Sequence, residues 1–326
     1  MRRLACSSLV LALAACPSKS STTTPQPQAG AGCPSAAGVY LASYVTQEPA
    51  KGPSGWAVAL HAAPASADAP DFANIDAAAA SAAGVPAPPT GTLWLVTPDA
   101  APCRASIGRY YAAKVDQSVS YGVMIEGCPA PKNPEEAGGV VMVSEQPPTG
   151  CRFEGPQPIA GRLGEMDANK QWQRPTKESP LPPPLASALP EHECAPPSCE
   201  KLWAFAEVQI DGKPVAWTGA FNWLHVGDPA QQCQWPAERV SGFWIPSGSG
   251  ALEVGEGDEH SLPLIAVLAD AGGARVALAE ANGEYATYDL APGSATLGHR
   301  VVWMLAPPQA WEAIDHLGPI CEEPRP

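Results

Sequence analysis

Nearly every apolar run in this chain is short, rich in β-branched or aromatic residues, and stopped by Gly, Pro or Asp. Such runs fit strands far better than helices. The first half offers 38–46, 55–61, 91–97, 109–115, 119–126 and 139–144. The second half offers 202–210, 214–226, 241–246, 262–269, 274–281, 284–290 and 300–306. Their spacing predicts a mainly β protein of antiparallel sandwiches or barrels. Asp211-Gly212 and Asn282-Gly283 stand where tight hairpins need positive φ angles. The 39 prolines and 30 glycines exclude long helices. Two short helical stretches remain: the alanine-rich 71–85, and 308–318, which has Pro308 near its start and Gly318 at its stop.

The amino end is different. Arg2 and Arg3 lead into a 12-residue apolar run, Leu4 to Ala15. A bilayer span needs about 20 apolar residues, so this run is the length of a signal h-region. It ends Leu13-Ala14-Ala15-Cys16. These residues resemble the lipobox of bacterial lipoproteins, in which an apolar residue and two small ones precede a cysteine. The resemblance implies a diacylglycerol on the Cys16 thiol, cleavage just before it, and acylation of the new amino end. An ordinary signal cleaved near Ala14 or Ala15 is the alternative. Pro17 stands where an aspartate would retain such a protein at the inner membrane, so the expectation leans to the outer membrane. Residues 16–32, a Ser/Thr/Pro/Gln tract after the cysteine, read as a flexible tether.

Loss of residues 1–15 removes two basic side chains and no acids. It leaves 17 basic against 33 acidic side chains, a formal charge of −16 on 311 residues. That charge opposes nucleic-acid binding. Eight cysteines remain beyond Cys16: Cys33, Cys103, Cys128, Cys151, Cys194, Cys199, Cys233 and Cys321. An even number in an exported chain reads as four disulfides. The alternative for Cys194 and Cys199 is a metal site, but no second close Cys/His pair completes a tetrahedral set. No metal or cofactor is therefore expected.

The two halves echo each other. Leu93, Val96, Asp99, Ala100 and Arg104 match Leu264, Val267, Asp270, Ala271 and Arg275 at a constant offset of 171. Tyr110 and Tyr285, and Leu60-His61 and Leu224-His225, follow at similar offsets. An internal duplication would pair Cys33 with Cys151 and Cys199 with Cys321, leaving Cys103–Cys128 and Cys194–Cys233. The alternative is that strands and turns reuse the same residues. The expected organisation is a signal at 1–15, a tether at 16–32, a β domain at 33–155, a proline-rich linker at 156–193 and a second β domain at 194–326.

Motifs for chemistry are sparse. Ser198-Cys199-Glu200-Lys201 matches the S-x-x-K of penicillin-binding proteins, but prolines precede it, a strand follows and no K-T-G accompanies it. Glu253, Glu256, Asp258 and Glu259 crowd one loop without calcium-loop spacing. Alternation sets Trp217, Phe221 and Trp223 on one strand face, where they could stack on sugar rings or seat a partner; the alternative is a core of large rings. The expectation is a non-catalytic, lipid-anchored envelope lipoprotein that binds or scaffolds an envelope protein or polysaccharide. The alternatives are a polysaccharide-binding module using the tryptophan-rich half, or an envelope hydrolase with an unrecognised, carboxylate-based site.

Overall fold

The computed structural model describes residues 32–302, apart from 46–53, 67–68, 99, 116–117, 133–137, 163–164, 167–171, 174–177, 189–198, 226–238, 256–261 and 282–283. The protein is mainly β. After a 3₁₀ turn at Ala36–Gly38 come β1 (Val39–Val45), β2 (Gly55–Pro64), β3 (Phe72–Ile75), α1 (Ala77–Ala82), β4 (Leu93–Thr97), β5 (Ala100–Val115), β6 (Ser118–Glu126) and β7 (Gly138–Val143). Strands β5-β4-β7-β1-β2-β6 pair in that order, and β6 returns to β5. The result is a closed six-stranded antiparallel barrel, with β3 added alongside β5. Closure depends on the length of β5. Its start pairs with β4 through Ala105, and its remainder pairs with β6 from Ser106 onward.

Alternation then sorts the side chains. Ala42, Trp56, Val58, Leu60, Leu93, Leu95, Val123, Ile125 and Val141 form one buried cluster, with Tyr40, Ile107 and Tyr110 against it. These fill the barrel. Trp56 Nε1 donates to the Pro129 carbonyl at 2.9 Å. The intervening residues Val39, Leu41, Ala59, Val96, Val140 and Met142 point outward into a second cluster.

What they meet comes from the rest of the chain. It supplies β8 (Arg152–Glu154), β9 (Gln157–Arg162), β10 (Glu165–Met166), β11 (Trp172–Gln173), α2 (Pro183–Ala186), β12 (Cys199–Ile210), β13 (Lys213–His225), β14 (Arg239–Ser247), β15 (Gly250–Val254), β16 (Leu264–Asp270), β17 (Gly273–Ala281), β18 (Glu284–Ala291) and β19 (Ser294–Val302). One sheet runs β19-β18-β17-β16-β8 and the other β15-β14-β13-β12-β9; β10 and β11 form a small hairpin. The first is a middle layer. Its Leu268, Val276, Leu278, Tyr285 and Val301 pack on the barrel wall. From its other face Val267, Ala277, Ala279, Ala286 and Tyr288 pack on Val208, Ala216, Phe243, Ile245 and Val254 of the outer sheet. Each large apolar side chain so buried contributes about 1.5–3 kcal/mol.

Each of the thirteen expected strands overlaps an observed one. Three expectations change. Residues 71–85 hold β3 and a six-residue helix rather than one helix; Asp76 caps that helix, its Oδ1 accepting from Ala79 N at 2.7 Å. The stretch 156–193, expected as a linker, is partly structural. β9 pairs with β12, and Leu185 of α2 is fully buried. The sequence echo reaches the hairpins but not the architecture. The β4–β5 hairpin and the β1–β2 hairpin share one closed sheet, whereas β16–β17 and β12–β13 lie in different sheets. Tyr110 sits on the same strand as Arg104, while Tyr285 lies one strand beyond Arg275. The helix expected at 308–318 lies outside the described residues.

Candidate functional site

The aromatic row expected as a ligand surface is interior. Trp217 is 3% exposed and Phe221 0% exposed. Both belong to a cluster with Trp203, Phe205, Trp244 and Leu185 on the far face of the outer sheet. Trp223 pairs with Lys201 across β12 and β13, and its side chain is outside the described set. What covers the face is the proline-rich segment itself. Leu181, Leu185 and Ala188 lie on the aromatic rings. Ser179 N donates to the Gly161 carbonyl at 2.9 Å, and Trp203 Nε1 donates to the Ser179 carbonyl at 3.2 Å. Glu178 pairs with Arg162 at 3.3 Å. The prolines suit this role, because an extended segment with few N–H donors can lie on rings without orphaning polar groups. Gly219 is what lets a ring lie flat here. An added Cβ would overlap the Phe205 ring and the Ala204 carbonyl.

Leu185→Ala is expected to cost about 2–5 kcal/mol, as for other buried leucines. It should also shift tryptophan emission to longer wavelength as water reaches the rings. Unchanged emission and an unchanged urea midpoint would contradict the strap's role.

A second site emerges where the barrel meets the middle sheet, and sequence reading did not single it out. In the antiparallel registers Glu280 faces Tyr285, Thr287 faces His299, and Tyr285 faces Val301, so these side chains share one face. That face looks at the barrel. Tyr285 OH donates to the Ala59 carbonyl at 3.3 Å. Ala59 pairs with Gly122, and the Tyr111 hydroxyl lies over Gly122 beside Ser120. Tyr40 of β1 stacks on His299 with ring centroids 4.7 Å apart, and Tyr285 meets the same imidazole edge-on at 5.7 Å. Thr287 Oγ1 donates to the Ala36 carbonyl at 3.1 Å, and Asp289 Oδ1 accepts from Ala36 N at 2.7 Å. Glu280 is 1% exposed.

The electrostatics follow from burial. Desolvation pushes the hydroxyls of Tyr111 and Tyr285 far up, and the neighbouring Tyr111 and Tyr40 oxygens push Tyr285 further. Burial pulls His299 down to about 4. Tyr111, Tyr285 and His299 are therefore neutral at pH 7. They form a hydroxyl-rich seam in which Tyr285 and Thr287 donate to backbone carbonyls of the facing layer, an arrangement suited to holding layers together. The sequence signal was a single one: Glu280 is the lone acid in the run 274–281.

The structure contains the bonds Cys33–Cys151 and Cys103–Cys128. Cys16, Cys194, Cys233 and Cys321 lie outside the described residues, and Cys199 is described only as the first residue of β12. Lys201 of the S-x-x-K match is on a strand, not a helix, with its Nζ 5.3 Å from the Phe221 ring centre. His61 stacks on Tyr121. Glu253 lies on β15, and Glu256, Asp258 and Glu259 are outside the described residues. Among the described residues no three His, Cys, Asp or Glu side chains gather to hold a metal. No family model, no curated protein and no solved structure matches this chain.

Proposed function

We propose that the chain is a lipid-anchored lipoprotein of the cell envelope whose β body binds or scaffolds other envelope components without catalysis. The observation that carries this reading is Leu13-Ala14-Ala15-Cys16 behind two arginines, followed by a polar tract up to the body. Two disulfides support an oxidising, extracytoplasmic compartment. Among the described residues no helix is long and apolar enough to cross a membrane, so in this reading the acyl chains on Cys16 do the anchoring. Two or more chains hold firmly, since each buried methylene contributes about 0.8 kcal/mol. Pro17 favours the outer membrane over the inner. The polysaccharide reading is weakened, because Trp217 and Phe221 are covered. The hydrolase reading has no catalytic motif in the sequence behind it.

The test is Cys16→Ala in the full-length protein, expressed in a bacterium with labelled fatty acid. The wild type should take up label, fractionate with membranes and yield an acylated amino-terminal peptide by mass spectrometry. The variant should lose all three. A wild type with a free Cys16 thiol, or a variant that still labels, overturns the reading.

A further inference from the structure

We propose that the seam between the barrel and the middle sheet is an acid-operated latch with the His299 imidazole as its pin. The proposal stands on where that ring sits. It joins three pieces: the barrel through its stack on Tyr40, the middle sheet through Tyr285, and the 3₁₀ turn through Thr287. His299 Nδ1 is 3.5 Å from Thr287 Oγ1. The Thr287 hydroxyl proton is already given to the Ala36 carbonyl, so its oxygen can only accept. That assigns the imidazole proton to Nδ1 and leaves Nε2 as a bare acceptor. Nε2 is buried and has no hydrogen-bond partner among the described residues.

Protonation would place a second donor and a full charge at that atom. Among the described residues no carboxylate is bonded to the ring to receive it. From β1 it faces Tyr40, and from β18 Tyr285, Thr287 and Asp289. Asp289 is engaged by the Ala36 N–H. From β17 comes Glu280, opposite Tyr285 and one strand further away. From β5 comes Tyr111, over Gly122, and from β2 His61, stacked on Tyr121. On its own hairpin Arg300 is paired with Glu284. The 3₁₀ turn, Ala36–Gly38, carries no titratable side chain. A charged His299 thus sits against two tyrosine rings with no carboxylate bonded to it among the described residues, and the seam relieves the cost by opening.

The sign is fixed by the direction of the shift. Burial holds His299 near 4, below its ordinary 6.5. The opened form therefore binds the extra proton between those values. The closed seam is fully favoured above about pH 6.5 and weakens as pH falls towards 4. The opening equilibrium should rise on the order of a hundredfold from pH 7 to pH 4.

The experiment uses the soluble, disulfide-intact protein lacking only the signal. The His299 ring is titrated by NMR, and protection of the Ala36 amide, corrected for its intrinsic exchange rate, is followed from pH 7 to pH 4. The latch predicts a ring that titrates well below 6.5 and an Ala36 amide that loses protection over the same range. His299→Gln should flatten that dependence. A wild-type ring titrating near 6.5, an Ala36 amide indifferent to pH, or an unaltered pH dependence in a folded H299Q each overturns it. The wild-type titration decides alone if the variant does not fold.

Discussion

Trp244→Ala is expected to destabilise the protein by about 3–5 kcal/mol, among the largest effects of any single substitution. The indole is fully buried between the outer sheet and its proline-rich strap, edge-on to Phe205 with ring centroids 5.4 Å apart. Truncation removes the transfer term and leaves a void that neither a sheet nor a strap pinned at Ser179 can close. Trp244→Phe makes the informative comparison. The Trp244 Nε1 atom is buried and has no partner among the described residues. A buried donor left unmade costs about 1–3 kcal/mol, so phenylalanine loses ring volume but regains part of that penalty. It should cost less than half of the alanine effect in urea unfolding. Equal costs for the two variants would show that the indole N–H, not its ring, is what matters there.

The second large effect concerns the disulfides. Cys33–Cys151 closes a separation of 118 residues, and Cys103–Cys128 closes 25. In the chain-entropy account their loss costs about 5 and about 3.5 kcal/mol respectively. Paired serine variants should therefore rank in that order by urea midpoint. The first bond also sits at a busier place. Cys151 is buried in the cluster between barrel and middle sheet, and Cys33 packs against it. The reverse ranking would mean that the shorter bridge constrains the native barrel rather than the unfolded chain.

The parts of the fold that depend on neighbours in sequence were legible before the structure. Asp211 and Gly212 do adopt positive φ, 51° and 74°, and the β12–β13 hairpin turns there. The two disulfides described agree with the pairing inferred from the echo between the halves. What depended on partners across space was not legible. The runs 264–270 and 273–281 are apolar on both sides because the middle sheet is covered on both faces. Alternation cannot say which layer covers which face. The same ambiguity hid the fate of Trp217 and Phe221. A ring on one strand face reads alike whether water or Leu185 lies above it. His299 was passed over because a histidine's significance lies in Tyr40 and Tyr285, 259 and 14 residues away in sequence.

The point where the chain enters the body has a mechanical consequence. Asp270 binds the Gly272 N–H, Arg275 and the Cys33 N–H, and together these outweigh its partial burial to hold its carboxyl below the usual range. One residue carries both that ionic clasp and the bond to Cys151. Any pull on the amino end therefore reaches a covalent link before it reaches β1. Force is diverted to β8 and the middle sheet, and the barrel's hydrogen-bond ladder is not the first thing loaded. A protein held by its end against flow or growth would transmit tension through sulfur, and its first strand would not peel.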